Sequence, residues 1–230
     1  MPALPKAKAG DLSWSPYGPN AFILRLGNQG DEATFHRVHH LVEALTASPP
    51  PGMADVIPGF ASVTVELQGN ATQPIAELAL RLLEQVHAFE AHNTPAPERR
   101  TLTIPVSYDG PDLDHVAAHT SLSKAEVIQR HQAATYRVHL IGFCPGFPYL
   151  QGMDPKLNTP RLSAPRSKVA VGSVAIGGEH TGIYSVERPG GWNLIGRTET
   201  RLFDAAQAVG NAPAASIFLC PGDLIRFVQV

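Results

Sequence analysis

The segment from Pro189 to Thr198, PGGWNLIGRT, carries glycines at a spacing that could bind phosphate. From Gly191 it reads G-x-x-x-x-G-R-T, one residue away from the phosphate-binding pattern G-x-x-x-x-G-K-[ST]. Arg197 stands where that loop needs the compact charge of lysine. Trp192 puts bulk where bare backbone N–H groups must wrap the phosphate. We therefore interpret the glycine pair as a tight turn and Trp192 as a core or pocket aromatic.

A second set of residues combines positive charge with aromatic rings among Gly-Pro turns. The basic members are Arg161, Arg166, Lys168 and Arg197, and the aromatic members are Tyr149, Tyr184 and Trp192. Guanidinium groups suit carboxylate or phosphate, and aromatic walls with a few polar groups are typical of small-molecule pockets. A single arginine here would be read as a surface charge. The group as a whole favours a binding site.

Histidine and cysteine offer proton transfer and nucleophilic chemistry. His131 and His139 flank Tyr136, and either imidazole could act as a general base because it titrates near neutral pH. Cys144 would need one of them as its base. The alternative is a small apolar residue on a strand, and we favour that interpretation.

Metal binding has little support. Two histidine pairs stand at i, i+4 spacing on predicted helices: His36 with His40, and His115 with His119. Neither pair has a third ligand at an obvious spacing, and the H-E-x-x-H pattern is absent. We predict no metal site.

Composition limits the function classes. Of the 230 residues, 43% are hydrophobic and only 17% are charged, with a formal net charge of −2. No basic field exists for a nucleic-acid backbone, and no apolar run approaches the roughly 20 residues that span a membrane. Two cysteines are no disulfide framework, which favours a reducing cytoplasm. Residues 1–12 are predicted to be a loose tail without the features of a secretory signal.

The first half of the chain alternates strand and helix patterns. Apolar spacing and turn residues predict the order βαββαβ over residues 21–26, 30–47, 56–57, 62–67, 73–90 and 101–108. This order predicts a ferredoxin-like layer, with helices on one face of an antiparallel sheet. We thus expect an α+β domain over residues 13–95.

A domain boundary is predicted in the polar, proline-bearing stretch from Asn93 to Arg100. Two short helices follow, and Ser123 with Glu126 forms a capping-box pattern at the start of the second. After Tyr136, short β-rich runs alternate with Gly-Pro turns. That pattern favours a closed β-barrel over residues 96–230.

Six motifs occur in a fixed order in this second half. They are FCPGFPYL (143–150), GMDP (152–155), PRLSAPR (160–166), VGSVAI (171–176), TGIY (181–184) and PGGWNLIGRT (189–198). Together they resemble the family that contains the B-type subunit of 5-oxoprolinase and the kinase inhibitor KipI, also called the allophanate hydrolase subunit 1 family. The resemblance is strongest over residues 108–230. His180 and Ser185 depart from the family's usual glutamine and proline.

The resemblance implies an N-terminal α/β domain and a C-terminal cyclophilin-like barrel, with PGGWNLIGRT as a barrel motif. It also implies a subunit of an ATP-dependent amidohydrolase that opens 5-oxoproline to L-glutamate. Partners would then be a second, carboxyltransferase-like subunit (the C type) and the separate first subunit (the A type). We expect ATP to be used by the complex, and this chain to be inactive alone. The alternatives are a KipI-like inhibitor of a sensor histidine kinase and a carboxyltransferase-related subunit that acts on urea-like substrates.

Within those motifs we assign two groups of residues as hypotheses. Arg166 and Arg197 would hold developing anionic charge, with His131 as a proton carrier. The substrate-binding residues are expected to be Pro145, Gly146, Phe147, Tyr149, Arg161, Ser173, Thr181, Tyr184 and Trp192.

Overall fold

The computed structural model describes residues 12–27, 31–69, 74–91, 100–207 and 217–230. The chain divides into two compact units, Met1–Pro97 and Glu98–Val230. All but the last residue of the predicted N-terminal tail lies outside the described residues, and so do residues 93–99 of the predicted linker.

The first unit is a four-stranded antiparallel sheet with two helices. Its elements are β1 (Ser13–Pro16), β2 (Ala21–Arg25), α1 (Glu32–Ala47), β3 (Met53–Pro58), β4 (Ser62–Leu67) and α2 (Ile75–Ala91). The strand order is β1-β2-β4-β3. Alternate residues of β2 and β4 and the apolar stripes of both helices form one core. The apolar face of the strands, which repeats every 2 residues, therefore packs against the apolar faces of the helices, which repeat every 3.6 residues.

The predicted ferredoxin-like βαββαβ layer is not confirmed, because its last strand lies in the other unit. Residues 101–106 pair with the C-terminal strand of the second unit. The edge of the first sheet is taken by Ser13–Pro16, which pairs with Ala21–Arg25 through a tight turn. A short strand beside its neighbour in sequence closes a smaller loop than a strand some 80 residues away, which lowers the entropy of pairing.

The second unit is built from a barrel-like sheet with two helices. Its elements are β5 (Thr101–Val106), α3 (Leu113–Thr120), α4 (Lys124–Ala133), β6 (Tyr136–Ile141), β7 (Pro148–Gln151), β8 (Arg166–Val169), β9 (Ser173–Gly177), β10 (His180–Ile183), β11 (Arg188–Gly190), β12 (Asn193–Arg197) and β13 (Leu224–Gln229). Seven strands form one sheet in the order β12-β9-β10-β7-β6-β13-β5, and β8 pairs with β11 separately.

The seven-stranded sheet is nearly closed on itself. Ser107, just beyond β5, exchanges two backbone hydrogen bonds with Arg197 at the end of β12, each 2.9 Å long. Helices α3 and α4 contribute apolar side chains to the same core as the strands. The capping box at the start of α4 is confirmed, since Ser123 and Glu126 bond each other's backbone N–H. No helix in the described part of the chain is long and apolar enough to cross a membrane.

Candidate functional site

The outer face of the barrel carries a second apolar cluster, separate from the barrel interior. Ala175 of β9 and Leu194 of β12 point to this face, while their neighbours Val174, Ile176 and Ile195 point into the core. Loops that follow β6, β10 and β11 fold over this face. They bring residues that are far apart in sequence to one place, which the motifs alone do not reveal.

The cluster is a set of aromatic rings in edge-to-face contact. Phe147 is its centre, with ring centroids 5.4 Å from Phe143, 5.1 Å from Tyr149, 5.3 Å from Tyr184 and 5.4 Å from Trp192. All four pairs are T-shaped, the arrangement that the ring quadrupole favours. The predicted aromatic wall is thus a single packed unit.

Glycines in the strands beneath the rings make this packing fit. A Cβ at Gly177 would lie 2.5 Å from the Trp192 ring, and one at Gly182 would lie 2.9 Å from Phe147. Real Cβ atoms do not approach other atoms that closely. Glycine within a strand here marks the close approach of a ring to the sheet.

A cleft of about 270 Å³ opens beside the rings. It is lined by Phe143, Phe147, Tyr149, Arg161, Leu162, Pro165, Pro189, Gly190, Gly191 and Trp192. The Arg161 guanidinium carbon lies 5.7 Å from the centroid of the Trp192 ring, within cation–π range. Burial raises the pKa of Tyr149, and the Arg161 charge opposes that rise. The cleft therefore joins apolar walls to one cationic group.

Phe143 forms an exposed rim of the cleft. Its side chain is 52% exposed, and its φ of 65° lies in the left-handed region that an aromatic residue rarely adopts. Arg188 covers the ring with its guanidinium carbon 5.3 Å from the centroid, and it donates to the Phe143 carbonyl oxygen at 3.4 Å. The strained backbone of Phe143 and its exposed ring at the mouth of the cleft make this residue a candidate ligand contact.

Arg166 lies in a largely buried ion pair rather than at the cleft. Its Nη2 donates to Asp112 Oδ1 at 2.7 Å, and the other carboxylate oxygen accepts from the Leu194 backbone N–H at 2.7 Å. The Asp112 backbone N–H also donates to the Leu194 carbonyl oxygen. Asp112 thus fixes the loop after β5 to strand β12, next to the aromatic cluster.

Asp112→Ala is expected to lower the unfolding free energy by about 2–4 kcal/mol, because it leaves a half-buried guanidinium and a buried backbone N–H without their acceptor. Asp109→Ala is the matched control, from the same loop. Its pair with Arg197 is exposed on both sides, so the expected loss is below about 1 kcal/mol. Urea unfolding of the two variants measures the difference. Equal losses would contradict the role given to Asp112.

Arg197 and Lys168 make exposed ion pairs. Arg197 Nε lies 3.1 Å from Asp109 Oδ2, and Lys168 Nζ lies 3.0 Å from Glu187 Oε2. Neither residue lines the cleft. Of the basic residues picked out in the sequence, Arg161 is the one that the structure brings to the aromatic cluster. The catalytic roles of Arg166 and Arg197 stay predictions.

His131 lies in the barrel core with no exposed surface. Thr181 Oγ1 donates to the Ala175 carbonyl oxygen at 2.9 Å, so it must accept from His131 Nε2–H at 3.0 Å. His131 Nδ1 then accepts from the Tyr108 hydroxyl at 2.7 Å. Burial lowers the pKa of His131 to about 3, which keeps the ring neutral. This network ties α4 to β10 and to the end of β5.

The remaining predicted substrate-binding residues support the cleft from behind or lie elsewhere. Thr181 is buried in the His131 network, and Ser173 is a buried residue at the start of β9. Gly146 adopts a φ of 74° and packs against Leu202. The Pro145 carbonyl accepts from Ser185 at 2.6 Å. Tyr184 is buried and in ring contact with Phe147.

Cys144 sits beside this carbonyl contact. Its Sγ lies 3.6 Å from Ser185 Oγ, whose own proton goes to Pro145, so the thiol is the donor. No histidine contacts it among the described residues. Cys144 is buried, as the apolar interpretation expects, but it lies in the loop between β6 and β7 and not on a strand. In the described ranges, no three or more His, Cys, Asp or Glu side chains gather as a metal site would require.

The sequence matches a known family model over residues 12–212, described as the carboxyltransferase domain, subdomain C and D. This chain belongs to that family. The match covers the first unit from residue 12 and the second unit as far as residue 212, and it includes every residue of the cleft. The resemblance drawn from the six motifs is thereby confirmed.

Curated relatives span nearly the whole chain. It is 40% identical over 215 residues to a protein of Escherichia coli O157:H7 named as the B subunit of 5-oxoprolinase, covering 92% of this chain and 93% of that protein. It is 36% identical over 229 residues to the protein of the same name from Bacillus subtilis strain 168, covering 93% and 90%. Both alignments therefore include nearly the full length of this chain and of the relative.

Among solved structures, the crystal structure of TTHA0988 is similar, with a TM-score of 0.75 and 37% identity. The alignment covers 91% of this chain but 40% of that one. In TTHA0988 the equivalent of this chain is therefore part of a longer polypeptide.

Sequence reasoning missed Asp112 and the cleft residues Leu162, Pro165 and Pro189, and it gave Phe143 no role of its own. The acidic pair in Asp109-Gly110-Pro111-Asp112 was the available signal. Two carboxylates in a rigid turn are natural counter-ions for a basic cluster. If these two carboxylates had been considered as partners for the basic cluster, two of its arginines would have been expected in ion pairs. The structure shows that these are Arg166 and Arg197, and that Arg161 has no such partner among the described residues.

Proposed function

We propose that this chain is a subunit of 5-oxoprolinase, the enzyme that opens 5-oxoproline to L-glutamate. The observation that carries the proposal is the 36–40% identity to two proteins named as the B subunit of that enzyme, with at least 90% of each relative covered. Because each alignment covers at least 90% of both proteins, the similarity extends over both units and is not limited to one shared segment. The KipI-like alternative stays a prediction. The urea-directed alternative has weaker support, from 29% identity over 126 residues to a putative urea carboxylase of Emericella nidulans, which covers 54% of this chain and 10% of that protein.

The reaction itself explains why ATP is expected. The lactam of 5-oxoproline is a resonance-stabilised amide, and phosphorylation of its oxygen would give a better electrophile. Charge that develops on that oxygen needs fixed donors in a site that excludes water. The cleft beside Arg161 is lined mainly by aromatic, proline and glycine residues, which are the apolar walls that such a site needs.

The segment of this chain whose glycine spacing resembles a phosphate loop does not fit the nucleotide. Residues 191–198, which match the phosphate-loop pattern at all but one position, consist largely of the buried strand β12. Its backbone N–H groups are already used: Leu194 donates to Asp112, and Arg197 donates to Ser107. We therefore assign ATP to a partner subunit and derive no step through it here.

The need for partners follows from the cleft and from TTHA0988. Among the described residues, the cleft offers one cation without an acidic partner, Arg161. We infer that opening an amide needs more fixed donors than this single group. The longer polypeptide of TTHA0988 joins the equivalent of this chain to further sequence. We propose that partner subunits of the C and A types complete the site, and that this chain is inactive alone.

Reconstitution tests the proposal. The chain is purified alone and together with the products of its neighbouring genes, and glutamate and ADP are measured with 5-oxoproline and ATP. We expect both products from the full mixture and neither when any one component is omitted. A stable complex that forms no glutamate from 5-oxoproline would overturn the assignment.

A further inference from the structure

The cationic side chains around the outer face differ in how their charge is compensated. Arg166 is paired with Asp112, Arg197 with Asp109 and Lys168 with Glu187. Arg188 donates to a carbonyl oxygen and covers Phe143. Arg161 has neither a hydrogen bond nor an ion pair to any described residue. Within the described part of this face, its charge is the one left for a ligand.

The Arg161 guanidinium lies over the Trp192 ring, with its carbon 5.7 Å from the ring centroid, and makes no ion pair with a described carboxylate. A guanidinium that stacks on an indole keeps its N–H donors free at the edges, in the plane of the fork. The stacking also reduces the side-chain entropy that binding would otherwise remove. Arg161 is therefore held ready for a planar anion on the cleft side.

The walls and the volume limit which anion fits. The cleft has about 270 Å³ and is lined mainly by aromatic, proline and glycine residues. Drug-sized ligands occupy pockets of about 300–1,000 Å³, so this cleft suits a smaller molecule. A small ring that carries one carboxylate matches this cleft, because the aromatic walls can pack against the faces of the ring while the single guanidinium binds the carboxylate.

We propose that Arg161 binds the carboxylate of 5-oxoproline while Trp192 and Tyr149 pack against its lactam ring, so that this chain selects the acid over the uncharged lactam. This inference rests on the proposed function and deepens it. Arg161 is a binding residue in this scheme, and the chemistry at the amide is completed by the partner subunits.

The reconstituted complex provides the test, with 5-oxoproline and 2-pyrrolidinone, the same ring without the carboxylate, as substrates. A hydrogen bond to a charged group contributes about 1.5–3 kcal/mol. Arg161→Gln should therefore raise KM for 5-oxoproline about 10- to 100-fold. The carboxylate lies on the ring carbon beside the lactam nitrogen, but its charge does not change as the amide opens. Its loss should therefore weaken ground-state and transition-state binding alike, and kcat should change little. Turnover of 2-pyrrolidinone should be the same in both forms.

Lys168→Gln is the control, since it removes a cation of the same face that is paired with Glu187 and does not line the cleft. It should leave KM for 5-oxoproline within about twofold, and thermal unfolding should show both variants folded. If Arg161→Gln raises KM for ATP instead, the anion is a phosphate and the proposal is wrong. If the variant matches the parent on all substrates, the proposal alone fails. If the parent complex turns over no 5-oxoproline, the proposed function fails as well.

Discussion

Gly190→Ala is expected to abolish the cleft, although it adds one methyl group. A Cβ at this position would lie 2.7 Å from Tyr184 Cζ and closer still to its hydroxyl oxygen. Tyr184 is buried, with Phe147 packed against its ring, so it has no space into which to move. Strand β11 must shift instead, and overpacking of this kind costs about 1–3 kcal/mol.

The adjacent glycine provides an internal control. A Cβ at Gly191 would meet its nearest atom, the Leu162 carbonyl oxygen, at 3.5 Å, which is ordinary van der Waals contact. We expect Gly190→Ala to lower kcat/KM for 5-oxoproline in the complex at least tenfold, and Gly191→Ala to change it less than threefold. If the two variants behave alike, the cleft has been assigned to the wrong place.

Acid should destabilise the second unit through His131. Its pKa of about 3 in the folded chain lies below the usual value of 6.5, so the unfolded chain binds a proton that the folded chain does not. The stabilisation from this group is complete above about pH 6.5 and falls by about 1.4 kcal/mol per pH unit as pH drops from there towards 3. The neutral ring is required because both of its nitrogens are used inside the core.

His131→Gln separates this effect from the titration of other groups. The variant should be less stable at pH 7.5, and its unfolding free energy should fall less steeply between pH 6 and pH 5 by about 1.4 kcal/mol. His119→Gln, at an exposed position on α3, is the control for loss of a histidine. Urea unfolding followed by Trp192 fluorescence in a Trp14→Phe background reports on the correct unit. An unchanged slope in His131→Gln would contradict the network.

Patterns within single segments were predictable from the sequence. The helices, the capping box at Ser123 and the β-rich second half follow from periodicity and turn residues, which are local properties. The partner of residues 101–106 was not predictable in this way. Strand pairing between β5 and β13 joins positions more than 100 residues apart. No residue pattern within either segment indicates which strand is its partner.

The site shows the same division. Five residues were identified by residue type. Four of them line one cleft, namely Phe147, Tyr149, Trp192 and Arg161, and Tyr184 packs behind it against Phe147. His131 was chosen because it titrates, but a titratable side chain can equally satisfy buried polar groups, as it does here. Arg166 and Arg161 look alike in sequence. Only Asp112, which folding brings to one of them, tells them apart.

The central claim is that the substrate of the complex binds beside Trp192. The chain has two tryptophans, Trp14 in the first unit and Trp192 in the cleft. With 5-fluorotryptophan in this chain alone, the assembled complex should give two ¹⁹F NMR signals. Addition of 5-oxoproline should shift the Trp192 signal and leave that of Trp14 in place, with a midpoint near KM. A complex that turns over 5-oxoproline while the Trp192 signal stays unmoved would contradict the account.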